Sequence, residues 1–306
     1  MNSIPVRQNY EPFLRLLRAR SQIYKEAVRR QVAQFLVTVV IPVIGGIAGL
    51  FLAEIRPHVA ALAVGLTLLD VAWLDRSQRN KIKIAAKVAE RFDCELLEVP
   101  WNRFSVGRPA DPEIIDSAAT AWKGGETGLV DWYPASVGSV PIHLARIVCQ
   151  RTNLWYDSAL RRRYSTILIL SALGASLFLF VAGLVGKLSL LDFVLTALTP
   201  AAPMLIWALR DLFRQRDAAD ALEIIKGEAE GLWERALKGD CSDEYCAAAS
   251  RNFQDAIYWR RVANPLVFPF VYSFLRATME ARMVAGANDL ISQLTLERSE
   301  GERAEE

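Results

Sequence analysis

The stretch CQRTNLWYDSALRRRYSTILILSALGASLFLFVAGLVG, Cys149–Gly186, joins two kinds of chemistry in one run. Its first half carries arginines, an asparagine, a glutamine and aromatic rings, the groups that grip an anionic, planar ligand. Its second half, Ser165–Gly186, holds no charge, and a helix needs roughly 20 apolar residues to cross the hydrocarbon core of a bilayer. Just upstream, Arg146, Gln150, Asn153 and Asp157 recur at helical spacing on one face. Neither glycine nor proline stands between Arg146 and the apolar run, so one helix over Ile142–Tyr164 is predicted to continue into the span. Movement imposed on its polar half must then reach the apolar half as rotation or tilt.

Three further apolar blocks lie outside this stretch. Gln34–Ala53 is free of charge, Pro57–Leu74 holds Asp70, and Leu188–Leu209 holds Asp192 with Pro200 and Pro203. The mean hydropathy is positive, +0.18, and these blocks exceed the usual length of a buried core helix. Lysine and arginine bias in flanking segments sets the orientation of such spans. Basic residues crowd the N-terminal segment, Arg76–Lys83, Arg161–Arg163 and Arg210–Arg216, whereas the connectors Glu54–Arg56 and Gly186–Lys187 are nearly neutral. The expected fold is mainly α: a multi-pass membrane protein with four transmembrane helices in two hairpins, and a mostly helical cytoplasmic part with a small β element. The expected divisions are an N-terminal cytoplasmic amphipathic helix (1–33), a first transmembrane hairpin (34–75) and a cytoplasmic insert (76–164). A second hairpin (165–209) and a C-terminal cytoplasmic helical region with a disordered tail from Glu297 (210–306) complete the chain. Both termini then face the cytoplasm. The basic segment ahead of the first span also sets it apart from a cleaved secretory signal.

Within the spans, Gly45, Gly46 and Gly49, and on the third span Gly174, Ala175 and Gly183, form small faces that allow close helix approach. Pro42, Pro200 and Pro203 break the backbone ladder, either as packing kinks or as parts of a gate. Asp70 and Asp192 lie near the ends of their spans rather than at the midplane, which argues against an ion-coupled transporter. The four cysteines, Cys94, Cys149, Cys241 and Cys246, are scattered and lack zinc-site spacing; they are expected as free thiols. No metal site and no cofactor is expected. There is no phosphate-binding glycine loop with its lysine, no H-E-x-x-H and no G-x-S-x-G, so no enzymatic activity is expected.

Between the spans, Tyr10–Gln31 carries apolar residues at helical spacing and runs toward the first span without a breaker. A helix is predicted over Ser77–Phe92, a short strand over Cys94–Trp101 and another helix over Pro112–Trp122. Asp131–Pro141 is irregular. A helix containing Gln254, Tyr258, Arg261 and Asn264 stops before Pro265, and Pro265–Leu275 is either buried or lies against the membrane.

Several segments together resemble a known family. They are RQN (Arg7–Asn9), SQIY ending at Tyr24, DWYP (Asp131–Pro134), CQRTNLWYD (Cys149–Asp157), LRRRY (Leu160–Tyr164) and FQDAIYWRRVANPLV (Phe253–Val267). The chain resembles the SMODS-associated four-transmembrane effectors, predicted pore-forming proteins of bacterial cyclic-oligonucleotide antiphage systems (CBASS). At Tyr156 the family pattern more often has tryptophan. The resemblance implies a membrane effector in the bacterial inner membrane, a functional link to a cyclic-oligonucleotide synthase, and sensing of a cyclic di- or oligonucleotide. The response it implies is membrane disruption by a homo-oligomer, with growth arrest or cell death. A membrane scaffold that recruits a cytoplasmic partner without forming a pore is the alternative. Arginine grips phosphate through paired hydrogen bonds, and aromatic rings stack on bases. The candidate ligand-binding residues are therefore Arg146, Arg151, Asn153, Trp155 and Tyr156, joined by Trp132, Tyr133, Tyr258 and Arg261.

Overall fold

The computed structural model describes residues 1–305, with the side chains of 49–51, 53, 56, 60, 196 and 295–305 outside that description. Helices α1 (Ile4–Arg7) and α2 (Glu11–Phe35) lead through a π turn, Leu36–Val40, into α3 (Ile41–Phe51). α4 (Arg56–Leu69) returns through a second π turn, Asp70–Leu74, into α5 (Asp75–Leu97). α6 (Arg103–Val106) and α7 (Pro112–Ala121) precede α8 (Ile142–Val185), which is unbroken from its polar start to its apolar end. α9 (Leu190–Phe193), a π turn and α10 (Thr199–Leu237) run back alongside it, followed by α11 (Asp243–Ala263) and α12 (Pro269–Glu305).

Proline chemistry shapes the membrane-facing segments. Pro42 has no N–H to donate, and the π turn sits immediately before it, with the Thr38 hydroxyl donating to the Gln34 carbonyl at 2.8 Å. The same device precedes Pro200: a π turn over Val194–Leu198, and Thr199 Oγ1 donating to the Val194 carbonyl at 2.8 Å. Neither bonded carbonyl is the one four residues before a proline, where the helical donor is lost. The small residues act as expected in two places. A Cβ at Gly45 would press on Val59 of α4, and one at Gly46 would come within 3.4 Å of Pro200 of α10. Gly183 likewise faces the Phe193 ring. Among the described residues nothing lies within 4 Å of a Cβ at Gly174, and Gly49 lies outside the described side chains, as does the tail from Glu297.

Three expectations need correction. Among the described residues three helices, not four, are long and apolar enough to cross a membrane; they fall within Glu11–Ala48, Pro57–Leu97 and Ile142–Val185. Leu188–Leu209 is divided among α9, the π turn and the first turns of α10, and it contains Asp192 and two prolines. The small β element is absent among the described residues, because the helical stripe Ala85, Val88, Ala89, Phe92 and Leu96 continues without interruption. The burial of that stripe against α2 and α8 outweighs the local strand propensity of Cys94–Trp101, and α5 ends only where Glu98 turns left-handed at φ 56°. Finally, only Cys94 and Cys149 are free, and both are buried. Gly239, at φ 77°, turns the chain after α10 so that Cys241 and Cys246 lie 6.2 Å apart at Cα and form a disulfide.

The main core fills the space between α2, α5, α8 and the ends of α10, α11 and α12, centred on Leu17, Phe92, Leu96, Ile147 and Leu232. A second cluster, Tyr156, Leu160, Tyr164, Leu168, Leu212, Val271 and Leu275, sits where α8 becomes apolar. Leu17 is fully buried. Leu17→Ala should cost about 2–5 kcal/mol, read as a lowered thermal midpoint of the detergent-solubilised protein, with the spans still inserted.

Candidate ligand-binding cavity

Local chemistry first fixes the loop that borders the site. Gln8 clasps Tyr133 from both sides: its amide donates to the Tyr133 carbonyl at 3.0 Å and its oxygen accepts the Tyr133 N–H at 2.8 Å. Asn9 does the same for Asp131, donating to its carboxylate at 2.7 Å and accepting its N–H at 2.9 Å. These bonds hold Asp131 at φ 51°, a left-handed conformation that a non-glycine residue adopts only when locally held. Gln8 and Asn9 of RQN thus clamp DWYP, while Arg7 reaches Glu98 and the Glu95 carbonyl of α5. Asn2 completes the clamp by donating to the carbonyls of Val137 and Val140.

Beneath this loop, α2, α8, α11 and the start of α12 enclose a cavity of about 550 Å³, in the range of roughly 300–1,000 Å³ common for small-molecule sites. Cations enter from four helices: Arg20 and Lys25 from α2, Arg161 from α8, Arg261 from α11 and Arg276 from α12. Five rings line it as well, Tyr24, Trp122, Trp132, Tyr156 and Tyr272, with Asp157 as its acidic residue. The Arg276 guanidinium occupies the space a side chain at Gly128 would need, and it donates to the Gly128 carbonyl at 2.7 Å.

Most of these cations are already engaged. Arg261 donates to Asp93 at 2.6 Å, and Asp93 is nearly inaccessible. Burial works against the Arg261 charge, but the Asp93 carboxylate overrides it and holds the guanidinium above its ordinary pKa. The Tyr133 hydroxyl donates to Asp93 at 3.0 Å and accepts from Asn153 at 2.7 Å. Its pKa is pushed well up, first by burial and then by Asp93. Gln254 extends the network, donating to Glu90 and Asp93 and accepting from Gln150. Arg161 is buried; it donates to Gln215 at 2.6 Å and to the Pro265 carbonyl at 2.7 Å, and its Nε lies 3.0 Å from Asp157. Arg276 pairs with Glu280 at 2.6 Å.

Arg20 differs. Its guanidinium lies over the Trp132 ring, 4.9 Å from the centroid, and among the described residues no carboxylate comes within ion-pair distance of it.

Of the nine residues singled out from the sequence, Asn153, Tyr156, Trp132 and Arg261 line the cavity. Tyr133 lies behind it, fully buried, touching it through Asn153. The other four sit elsewhere. Arg146 caps α5, donating to the carbonyls of Leu97 and Glu98 at 2.6 and 2.8 Å. Arg151 pairs with Glu230 of α10 at 2.7 Å. Trp155 packs on the second core cluster, and Tyr258 is buried against Ala86 and Val106. Sequence reasoning passed over Arg20, Lys25, Trp122, Tyr272 and Arg276 as site residues. Tyr24, which closes the SQIY motif, also lines the cavity.

The model of the SMODS-associating 4TM effector domain matches residues 2–290. The chain belongs to this family. It is also similar to a protein of Bacillus cereus (strain VD146) described as a probable CBASS effector molecule, with 26% identity over 285 residues, 91% of this chain and 95% of the relative. No solved structure matches. The family's matched region contains the three membrane-competent helices and every residue that lines the cavity.

Removing Asp93 would leave Arg261 charged and largely buried. Losing one partner of such a pair costs about 3–5 kcal/mol, so Asp93→Ala should strongly lower the thermal midpoint in detergent. A change of less than a degree would show that Arg261 finds another anion.

Proposed function

We propose that this protein is a CBASS effector whose cavity receives a cyclic di- or oligonucleotide, and that ligand binding permeabilises the bacterial inner membrane. The carrying observation is the Arg20–Trp132 pair: a cavity-facing guanidinium with no carboxylate partner among the described residues, stacked on a ring large enough to meet a base. A phosphate would supply the anion that Arg20 lacks, by the paired hydrogen bonds that arginine makes to phosphate oxygens. Lys25, Arg161, Arg261 and Arg276 surround the same space, while Trp122, Tyr156 and Tyr272 offer further aromatic faces. The ligand's source is a cyclic-oligonucleotide synthase, in keeping with the name of the Bacillus cereus relative.

Transmission follows from α8. Asn153, Tyr156, Asp157, Leu160 and Arg161 line the cavity on the helix that turns apolar at Ser165. A ligand shifts such an equilibrium only by its differential affinity for the two states, and about 5.5 kcal/mol turns a mostly closed population into a mostly open one. Arginine–phosphate contacts and two stacked bases are of that order, since stacking contributes about 1–3 kcal/mol per base. So few spans per chain enclose little space, so the open state is a homo-oligomer.

Arg20→Ala and Trp132→Ala should each weaken binding of the cognate cyclic nucleotide by roughly 5- to 150-fold, the equivalent of about 1–3 kcal/mol. Isothermal titration on the detergent-solubilised protein checks this, with thermal midpoints measured alongside to exclude unfolding. Proteoliposomes carrying the parent protein should release trapped dye when the nucleotide is added. Binding without release under any lipid composition would favour the scaffold alternative, and unchanged binding by both variants would move the ligand site elsewhere.

A further inference from the structure

The start of α12 has two unlike faces. Val271 and Leu275 are buried against Leu168 of α8 and Leu212 of α10. Phe270 and Phe274, one residue earlier in each turn, point away and are 67% and 81% exposed. Leu168 already belongs to the charge-free run that begins at Ser165, and Leu170 and Leu173 beyond it are exposed apolar residues. The two phenylalanines therefore sit at the depth where α8 has entered its apolar segment.

An aromatic cluster marks the same level. Phe268 packs edge-on against Phe35, at the end of α2, with centroids 5.5 Å apart, and against Trp207 of α10 at 5.8 Å; Phe270 continues the chain of rings 5.8 Å from Phe268. On α10, Leu209 and Phe213 flank the buried Leu212 and are exposed, beside the exposed cations Arg210 and Arg214. Apolar side chains with adjacent arginines match the boundary between acyl chains and anionic headgroups. Farther along α12 the outward face turns polar, with Arg282, Asn288 and Asp289 exposed, so only its first turns suit lipid.

We propose that the first two turns of α12 are seated in the lipid surface through Phe270 and Phe274. The occupant of this face is the bilayer itself, not a partner protein, because the face is continuous in depth with the apolar run of α8. Pro269, Tyr272, Ser273 and Arg276 of the same turns line the cavity, so one wall of the candidate ligand site would be moored in lipid.

The test uses the full chain in anionic phospholipid vesicles. A bimane fluorophore is attached through Phe274→Cys, or through Asp289→Cys farther along the exposed face. Labelling without reductant spares the native thiols, since Cys94 and Cys149 are buried and Cys241 is bonded to Cys246. Lipids with a doxyl group on the acyl chain should quench the label at 274 at least twofold more than the label at 289, and aqueous iodide should show the reverse order. Quenching of the 274 label by iodide as strong as at 289 overturns the proposal. Shielding of the 274 label from both quenchers overturns it too, and would indicate a second copy or another protein on this face. Both substitutions are on the surface, so thermal midpoints in detergent should match the parent. No nucleotide is added, so failure here and failure of ligand sensing are separate outcomes.

Discussion

Everything in this molecule is arranged along a 44-residue helix that changes solvent part-way. In lipid each backbone group must be satisfied within its own segment, which leaves the helix as the only open-ended way across. With no breaker between Arg146 and Ser165, that requirement makes the polar half of α8 a rigid extension of the apolar half. α10 runs back along most of its length, α11 and α12 pack on its polar half, and α2 and α5 close the other side. The cavity is where these elements diverge, one turn before α8 becomes apolar. A ligand there would press on the base of the span and not on a distant domain.

Charge is handled differently in the core and in the cavity. Glu90 and Asp93 are fully buried on α5, and each is met by an arginine of α11 and by the Gln254 amide. Such pairs do little for stability relative to apolar packing but are costly to break. They fix the register of α11 against α5 and hold Arg261 at the cavity edge. Arg161 acts in the same way for the proline-rich link after α11: with Gln215 and Gln31 it binds the carbonyls of Pro265 and Leu266, which proline geometry leaves without helical partners. In this engaged setting Arg20 stands out, with no carboxylate at ion-pair distance among the described residues and its guanidinium over the Trp132 ring.

Short motifs that look like ligand contacts in the sequence divide between two tasks. RQN, the DWYP backbone and Arg146 build the frame: they clamp the loop over the site and cap the left-handed end of α5, while Trp132 of DWYP turns into the cavity. SQIY, the Asn153–Tyr156 segment and ANPLV contribute side chains or backbone to the cavity wall. An arginine that caps a helix and one that faces a cavity are the same letter, and only the neighbouring carbonyls and carboxylates tell them apart.

The sequence alone determined the helical class and the continuity of α8 from polar to apolar and of α2 toward α3. Each follows from local properties: charge-free length and breaker positions. It also brought Trp132, Asn153, Tyr156 and Arg261 into one hypothesis, since ring and guanidinium chemistry is visible in the letters. What it misassigned depended on distant partners. Cys94–Trp101 read as a strand because its residues suit one, yet the burial of Leu96 and Leu97 in the main core extends the helix to Leu97. Arg151 and Trp155 are committed to Glu230 and to the second core cluster, contacts that arise only when α10 and α12 fold back on α8. The disulfide depends on a turn at Gly239. Only the tertiary structure placed Arg20, Tyr24 and Lys25 of α2 across from Arg276 of α12, because a cavity is the space left between helices and no single segment encodes it.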